Sequence, residues 1–224
     1  MIPLRDSVRS RHVPIVTWLI VAANTVVFLF SLMLNNAQLQ GFVNTFAFIP
    51  ASWQTNPIWW GISLFTSMFL HGGWLHFISN MWILIIFGDN VEDRMGPLGF
   101  LIFYLLGGLA AGLLQFVFLP VSTIPTLGAS GAIAAVMGAY IVLYPNARVV
   151  TLIPLFFFFT TVNIPAFLYL GIWFVTQFFS GVAALGQVTM GGVAWWAHIG
   201  GFVSGVLLVR AFLFRRSAPS QALY

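Results

Sequence analysis

The sequence predicts an all-α polytopic membrane protein with six transmembrane helices. Three observations carry this reading. Of 224 residues, 60% are hydrophobic and only 5% are charged, against roughly 25% charged in an average soluble domain. The apolar residues fall into six runs, at 14–34, 74–87, 98–119, 130–144, 165–185 and 193–214. Drawn with those six spans, all eight arginines land on one side of the membrane. A soluble fold of this length has no interior large enough for so much apolar surface, whereas lipid covers it. Each run must be helical, because in hydrocarbon a helix satisfies its own backbone groups.

The first run follows Arg5, Arg9 and Arg11, as a signal peptide would. Its 21 residues exceed the 7–15 of a signal core, so it is expected to be a retained helix. The second and fourth runs are shorter than the ~20 residues of a full crossing. The third, fifth and sixth are long enough to span. Arg94 lies between the second and third runs, Arg148 follows the fourth, and Arg210, Arg215 and Arg216 close the sixth. The connections 35–73, 120–129 and 186–192 carry no charge. The positive-inside rule then puts both termini in the cytoplasm, and a bacterial plasma membrane is the expected setting. Residues 1–13 read as a cytoplasmic leader, 14–214 as the membrane domain and 215–224 as a cytoplasmic tail. His12, in the leader, reads as a solvated histidine.

Two connections are unusual. Residues 35–73 contain "PASWQTNPIWWG", a tryptophan-rich stretch expected to lie partly embedded at the outer interface. Residues 151–167, "TLIPLFFFFTTVNIPAF", are apolar enough for another span, but a seventh crossing would export Arg210, Arg215 and Arg216. Pro154 and Pro165 bracket the run and each removes a helix donor. A loop dipping into the cytoplasmic interface is expected instead.

The basic balance, a net charge of +4, reads as topology and not as nucleic-acid binding. The absence of cysteine excludes disulfides, a thiol nucleophile and thiolate metal sites. What remains is a small set of polar residues at membrane depth, where such residues are costly and mark function. They are His76, Asn80, Ser130 and His198, with His71 just before the second span. Ser130 sits in "GASG", a small-residue turn of Gly128, Ala129, Ser130 and Gly131 that opens the short fourth helix. At 1.5 Å per residue a helix of about 15 to 17 residues covers roughly 25 Å, less than a ~30 Å hydrocarbon core. Its outer end therefore starts below the surface, at the depth His198 reaches in the sixth helix. His76 and Asn80 are spaced i, i+4 on one face of the second helix's outer half.

A serine hydroxyl needs a base, and His198 can supply it. The oxyanion needs donors, and His76, Asn80 and the Ser130 N–H can supply those. All four carboxylates, Asp6, Asp89, Glu92 and Asp93, fall on the opposite side. A hydrolase built here must be a Ser-His dyad. Taken singly, these residues have plainer explanations. Ser130 fits helix packing, His198 and Asn80 fit interhelical hydrogen bonds, and the pairs Gly108/Gly112 and Gly201/Gly205 are helix-packing notches.

Together the motifs resemble the rhomboid intramembrane serine proteases. "HGGWLHFISNMW", "VEDRMG", "GASG" and "AHIGGFVSG" match that family's patterns from the first helix to the sixth. The resemblance implies a rhomboid-like bundle with Ser130 as nucleophile and His198 as base. His76, Asn80 and the Ser130 N–H would form the oxyanion hole. It implies structural roles for His71, Gly128, Gly131, Glu92, Arg94, Gly201 and Gly205. It further implies cleavage of transmembrane protein substrates near their outer ends, beside small residues, within the lipid bilayer, with no cofactor or metal. Two family features are missing. Ile62 and Ser63 stand where some members have Trp-Arg in the first loop. Ala134 stands where some stack a tyrosine on the catalytic histidine, so another group must brace His198.

Two other functions fit parts of the pattern. A catalytically silent rhomboid-like protein would bind membrane clients, but Ser130 and His198 are both present. A haem protein would use His76 and His198 as axial ligands, yet needs neither the serine turn nor Asn80. A zinc site is disfavoured because His71 and His76, five residues apart, do not share a helix face and no carboxylate lies near.

Overall fold

The computed structural model describes residues 1–155, 158–185 and 192–213. The predicted spans are all present as helices: α1 (Ile15–Leu32), α4 (Trp74–Met95), α5 (Pro97–Phe118), α6 (Ser130–Leu143), α7 (Ala166–Ala184) and α8 (Trp195–Leu208, continued by a 3-10 turn to Phe212). Between α1 and α4 lie two further helices, α2 (Asn36–Phe46) and α3 (Pro57–Thr66). Arg215, Arg216, the tail 215–224 and most of the 186–192 connection fall outside the described residues.

The helix α6 is the hub. Its sequence is small and apolar all round, and every residue from Gly131 to Tyr140 is buried. A helix without a polar face belongs inside a bundle. At 14 residues it is about 21 Å long, too short to cross, as expected. The helix α4 is longer than its apolar run. It continues through Gly88, Asp89, Asn90 and Glu92 to Met95, 22 residues in all. Those polar residues extend it because their side chains find partners. Asn90 donates to Asp6 Oδ2 at 2.9 Å, and Asp6 also accepts from the Tyr140 hydroxyl. Glu92, 3% exposed, accepts from the Val16 and Thr17 N–H groups at 2.9 and 2.8 Å and from the Thr17 hydroxyl at 2.8 Å. Pro14 precedes α1 and offers no side-chain cap, so Glu92 caps that helix from a neighbouring element. The charge also faces the positive end of the α1 dipole. Gly96, at φ +74°, turns α4 directly into α5, whose first residue is Pro97.

The segment 151–167 is not a simple loop. It forms a β-hairpin, β2 (Arg148–Leu155) and β3 (Phe158–Pro165), antiparallel with Arg148 opposite Pro165 and Leu155 opposite Phe158. The physical reason lies in its β-branched residues Val149, Val150, Thr151, Ile153, Thr160, Thr161, Val162 and Ile164, which favour strands. The first residues add β1 (Ile2–Asp6) on the other edge of β2, with a register shift between Pro3 and Arg5. The expected leader is thus partly structured. His12 is also engaged, its Nδ1 lying 2.5 Å from Asp93 Oδ1.

The connection 35–73 is folded as well. Asn35 and Gln38 close a capping box at the start of α2. Trp59 Nε1 donates to the Thr45 carbonyl at 2.5 Å, and Thr66 Oγ1 to the Phe46 carbonyl at 2.7 Å. Trp60 packs on Phe48 and Phe116. These contacts anchor the loop where Ile62 and Ser63 replace Trp-Arg.

Candidate active site

Ser130 is the first residue of α6. The turn before it is fixed from outside. Thr126 and Phe48 exchange backbone hydrogen bonds of 2.7 and 2.9 Å, and the Gly128 N–H donates to the Ser67 carbonyl at 2.9 Å. Gly128 has φ +119°, and a β-carbon there would stand 2.6 Å from His76 Nε2 and 3.8 Å from Ser130 Oγ. Glycine is needed twice over, for the backbone and for the histidine beside it. At Gly131 a β-carbon would meet Ala111 Cβ at 2.6 Å, so α5 also approaches this turn.

His198 is the fourth residue of α8 and is buried. Three glycines let α6 and α8 touch backbone to backbone. A β-carbon on Gly201 would lie 2.0 Å from the Gly131 carbonyl oxygen, one on Gly205 2.0 Å from that of Ala135, and one on Gly138 2.1 Å from that of Phe202. This is small-residue packing of membrane helices. It places Ser130 Oγ 2.8 Å from His198 Nε2. Gly108, against Met68 and Ala132, and Gly112, against Leu64, seat α5 in the same way.

The groups bracing His198 are Gln177 and Trp173, both on α7. His198 Nδ1 lies 2.7 Å from Gln177 Oε1, and the Trp173 ring sits 5.8 Å away, tilted by 34°. Trp195 adds an edge contact at 6.3 Å. None of these was singled out from the sequence. Gln177 had a signal: an amide in an otherwise lipid-compatible run is expensive unless it faces inward. Gln115 is similar. It is buried in α5 and its Oε1 accepts the Ala197 N–H at 3.2 Å, satisfying a donor in the first turn of α8.

His76 and Asn80 reach the same end of the bundle from α4. The Gly72 N–H approaches His76 Nδ1 at 3.4 Å, which leaves Nε2 facing the Gly128 turn. Asn80 is 6% exposed and gives one amide hydrogen to the His76 carbonyl at 2.8 Å, with its second available. His71 is buried against His76 at 5.1 Å, Phe77 at 5.5 Å and Phe28 at 6.4 Å, edge-on in each case. Glu92 and Arg94 lie toward the other end of α4, and Arg94 stacks over Tyr144 at 5.9 Å. Sixteen residues separate His76 from Glu92 along the helix, roughly 24 Å. Among the described residues, no carboxylate is a hydrogen-bond or ion-pair partner of His198. Both ring nitrogens of His198 are engaged, Nε2 by Ser130 and Nδ1 by Gln177.

Comparison with known proteins places the chain in a family. The rhomboid domain model matches residues 57–215. The chain is 38% identical over 86 residues to the mitochondrial RHOMBOID-like protein 6 of Arabidopsis thaliana, covering 38% of this chain and 26% of that protein. It is 29% identical over 233 residues to RHOMBOID-like protein 1 of the same plant, covering 88% of this chain and 52% of the relative. Inactive RHOMBOID-like protein 8, also from Arabidopsis thaliana, is 31% identical over 86 residues, 38% of this chain and 23% of the relative. The chain thus spans about half or less of these relatives' own length. The mitochondrial name of the first differs from the bacterial plasma membrane expected from the sequence. The fold, the multi-pass helices and the matched domain together establish that this chain belongs to the rhomboid family.

Proposed function

We propose that the protein is an intramembrane serine endopeptidase acting through a Ser130–His198 dyad. The observation that carries this reading is the 2.8 Å contact between Ser130 Oγ and His198 Nε2. In the attack, His198 Nε2 takes the hydroxyl proton while Oγ bonds to the substrate carbonyl carbon. The carbonyl oxygen becomes an oxyanion, received by His76 Nε2–H, the free Asn80 amide hydrogen and the Ser130 N–H at the positive end of α6. The imidazolium then returns its proton from Nε2 to the departing amide nitrogen, leaving an acyl-Ser130 ester. Water, deprotonated by the same nitrogen, hydrolyses the ester and regenerates the hydroxyl.

The substrates are transmembrane proteins, cut near their outer ends beside small residues. The short α6 supports that depth, because its Ser130 end cannot reach the surface if the other end lies at the opposite interface. The arginines at the far end of the bundle support cytoplasmic termini. A silent, client-binding role is the runner-up, since one relative is named inactive. The intact Ser130–His198 pair favours catalysis. The test is cleavage of a single-span substrate in proteoliposomes, with the products sized by mass spectrometry. The expected result is one cut near the outer end of the substrate helix, absent in Ser130→Ala. A wild-type protein that binds such a substrate and leaves it intact would establish the silent role.

A further inference from the structure

We propose that Gln177 is a positioning residue that holds His198 in the Nδ1–H tautomer, so that Nε2 is bare toward Ser130. The proposal rests on the reading of Ser130 and His198 as a catalytic pair. A neutral imidazole carries one proton, and only the nitrogen without it can accept from a hydroxyl. The partner of Nδ1 therefore decides whether His198 can act as a base. That partner is Gln177 Oε1 at 2.7 Å, and it is buried.

An amide can present either its oxygen or its NH2, and the two have opposite consequences. If Nε2 of Gln177 donated to Nδ1, the imidazole proton would sit on the nitrogen facing Ser130 and block it. A second hydrogen bond selects the oxygen. The Thr176 hydroxyl donates to the Trp173 carbonyl at 2.6 Å, which leaves its oxygen free to accept. Gln177 Nε2 lies 3.4 Å from that oxygen and donates to it. The chain of donors then runs in one direction: Ser130 Oγ to His198 Nε2, His198 Nδ1 to Gln177 Oε1, Gln177 Nε2 to Thr176 Oγ1, Thr176 Oγ1 to the Trp173 carbonyl.

Gln177 thus does part of what the aspartate of a Ser-His-Asp triad does. It fixes tautomer and ring orientation, and it does so without a charge at membrane depth. It also ties the base to α7. Among the described residues, the Gln177–His198 contact is the only side-chain hydrogen bond between α7 and another helix. The other buried residues of α7 are Ala166, Tyr169, Leu170 and Gly181, and Trp173 and Phe174 pack on His198 and Phe202 of α8. A displacement of α7 away from α8 would therefore withdraw the acceptor and leave His198 free to rotate.

The test combines 15N NMR of histidine-labelled protein with kinetics. In the wild type, His198 is expected to show a protonated Nδ1 and an unprotonated Nε2. The opposite tautomer in the folded wild type would overturn the proposal outright. In Gln177→Met, which keeps the shape and loses the acceptor, kcat is expected to fall about 10²-fold or more, with KM little changed. The Nδ1–H signal should be lost with it. Gln177→Glu, with an acceptor oxygen in either protonation state, is expected to restore both. An unchanged kcat in Gln177→Met, or equal losses in both variants with an unaltered tautomer, would mean that the residue only packs. The spectrum needs no activity. A wild type that cuts nothing would sink the protease reading and still leave the Gln177 proposal decided by the tautomer.

Discussion

Gly201 lies so close to Gly131 that a β-carbon on it would stand 2.0 Å from the Gly131 carbonyl oxygen. That contact joins the helix carrying the base to the helix carrying the nucleophile. Because the obstacle is backbone, it cannot rotate away. Gly201→Ala must therefore push α8 from α6 by an ångström or more. The expected results are a stability loss of about 1–3 kcal/mol and a fall in kcat out of proportion to it, as the Ser130–His198 contact opens. Gly171→Ala is the control, since a β-carbon there meets nothing within 4 Å. Melting temperature and kcat on purified protein check both. An active, fully stable Gly201→Ala would contradict the packing described.

Glu92 should matter for folding and not for chemistry. Its carboxylate accepts three hydrogen bonds from Val16 and Thr17 at the start of α1. Glu92→Gln leaves one acceptor oxygen and sets an NH2 against backbone donors. The variant is expected to lose about 1–3 kcal/mol of stability while the folded fraction keeps its kcat. Activity normalised to folded protein is the measurement. A large loss of normalised kcat would require a catalytic route from Glu92 to Ser130 that the bundle does not contain.

Asp6 gives a pH signature. Burial pushes its carboxyl above the usual carboxylate range, with the Tyr140 hydroxyl pulling the other way. A raised folded value means that the native state holds the proton more tightly than the unfolded chain. The stabilisation is complete below the unfolded value near 3.8 and is lost as pH rises through the folded one. Asp6→Asn has no such titration. Its melting temperature relative to wild type should rise as pH increases from about 4 upward. A difference that stays flat or falls over that range would contradict the assignment.

Asn80 should act on the transition state. One of its amide hydrogens is committed to the His76 carbonyl, and the other is available to a developing oxyanion. Asn80→Ala is expected to lower kcat by ~10²–10³ with KM nearly unchanged. A rise in KM alone would move Asn80 to substrate binding.

The bundle was legible because its signals are strong and local. Apolar runs located six helices, and Gly201 and Gly205 marked a helix-packing notch, which α6 fills. Helix lengths put Ser130 and His198 at one depth, and the resemblance of "GASG" and "AHIGGFVSG" paired them. The hairpin was less legible, because an apolar run between prolines fits a strand, a span or a dipping loop equally well. Its β-branched residues lean toward a strand, and pairing with Ile2–Asp6, more than 140 residues away, completes the sheet. The polar end of α4, which "VEDRMG" marks through the family resemblance, lies beyond its apolar run for a related reason. Its polar residues look like the end of a helix until Val16, Thr17 and Asp6 are seen to receive them. Gln177 is less legible because it stands alone as an amide in its run, whereas Asn80 is spaced i, i+4 from His76 and Ser130 sits in a small-residue turn.

The central claim is that Ser130 is a nucleophile activated by His198, and active-site labelling tests it most directly. Wild-type protein in detergent is treated with a fluorophosphonate, and the adduct is located by peptide mass mapping. The account predicts one adduct per chain, on Ser130, absent in Ser130→Ala and slowed by about 10² or more in His198→Ala. Labelling that persists in folded Ser130→Ala, or that proceeds at the wild-type rate without His198, would contradict it.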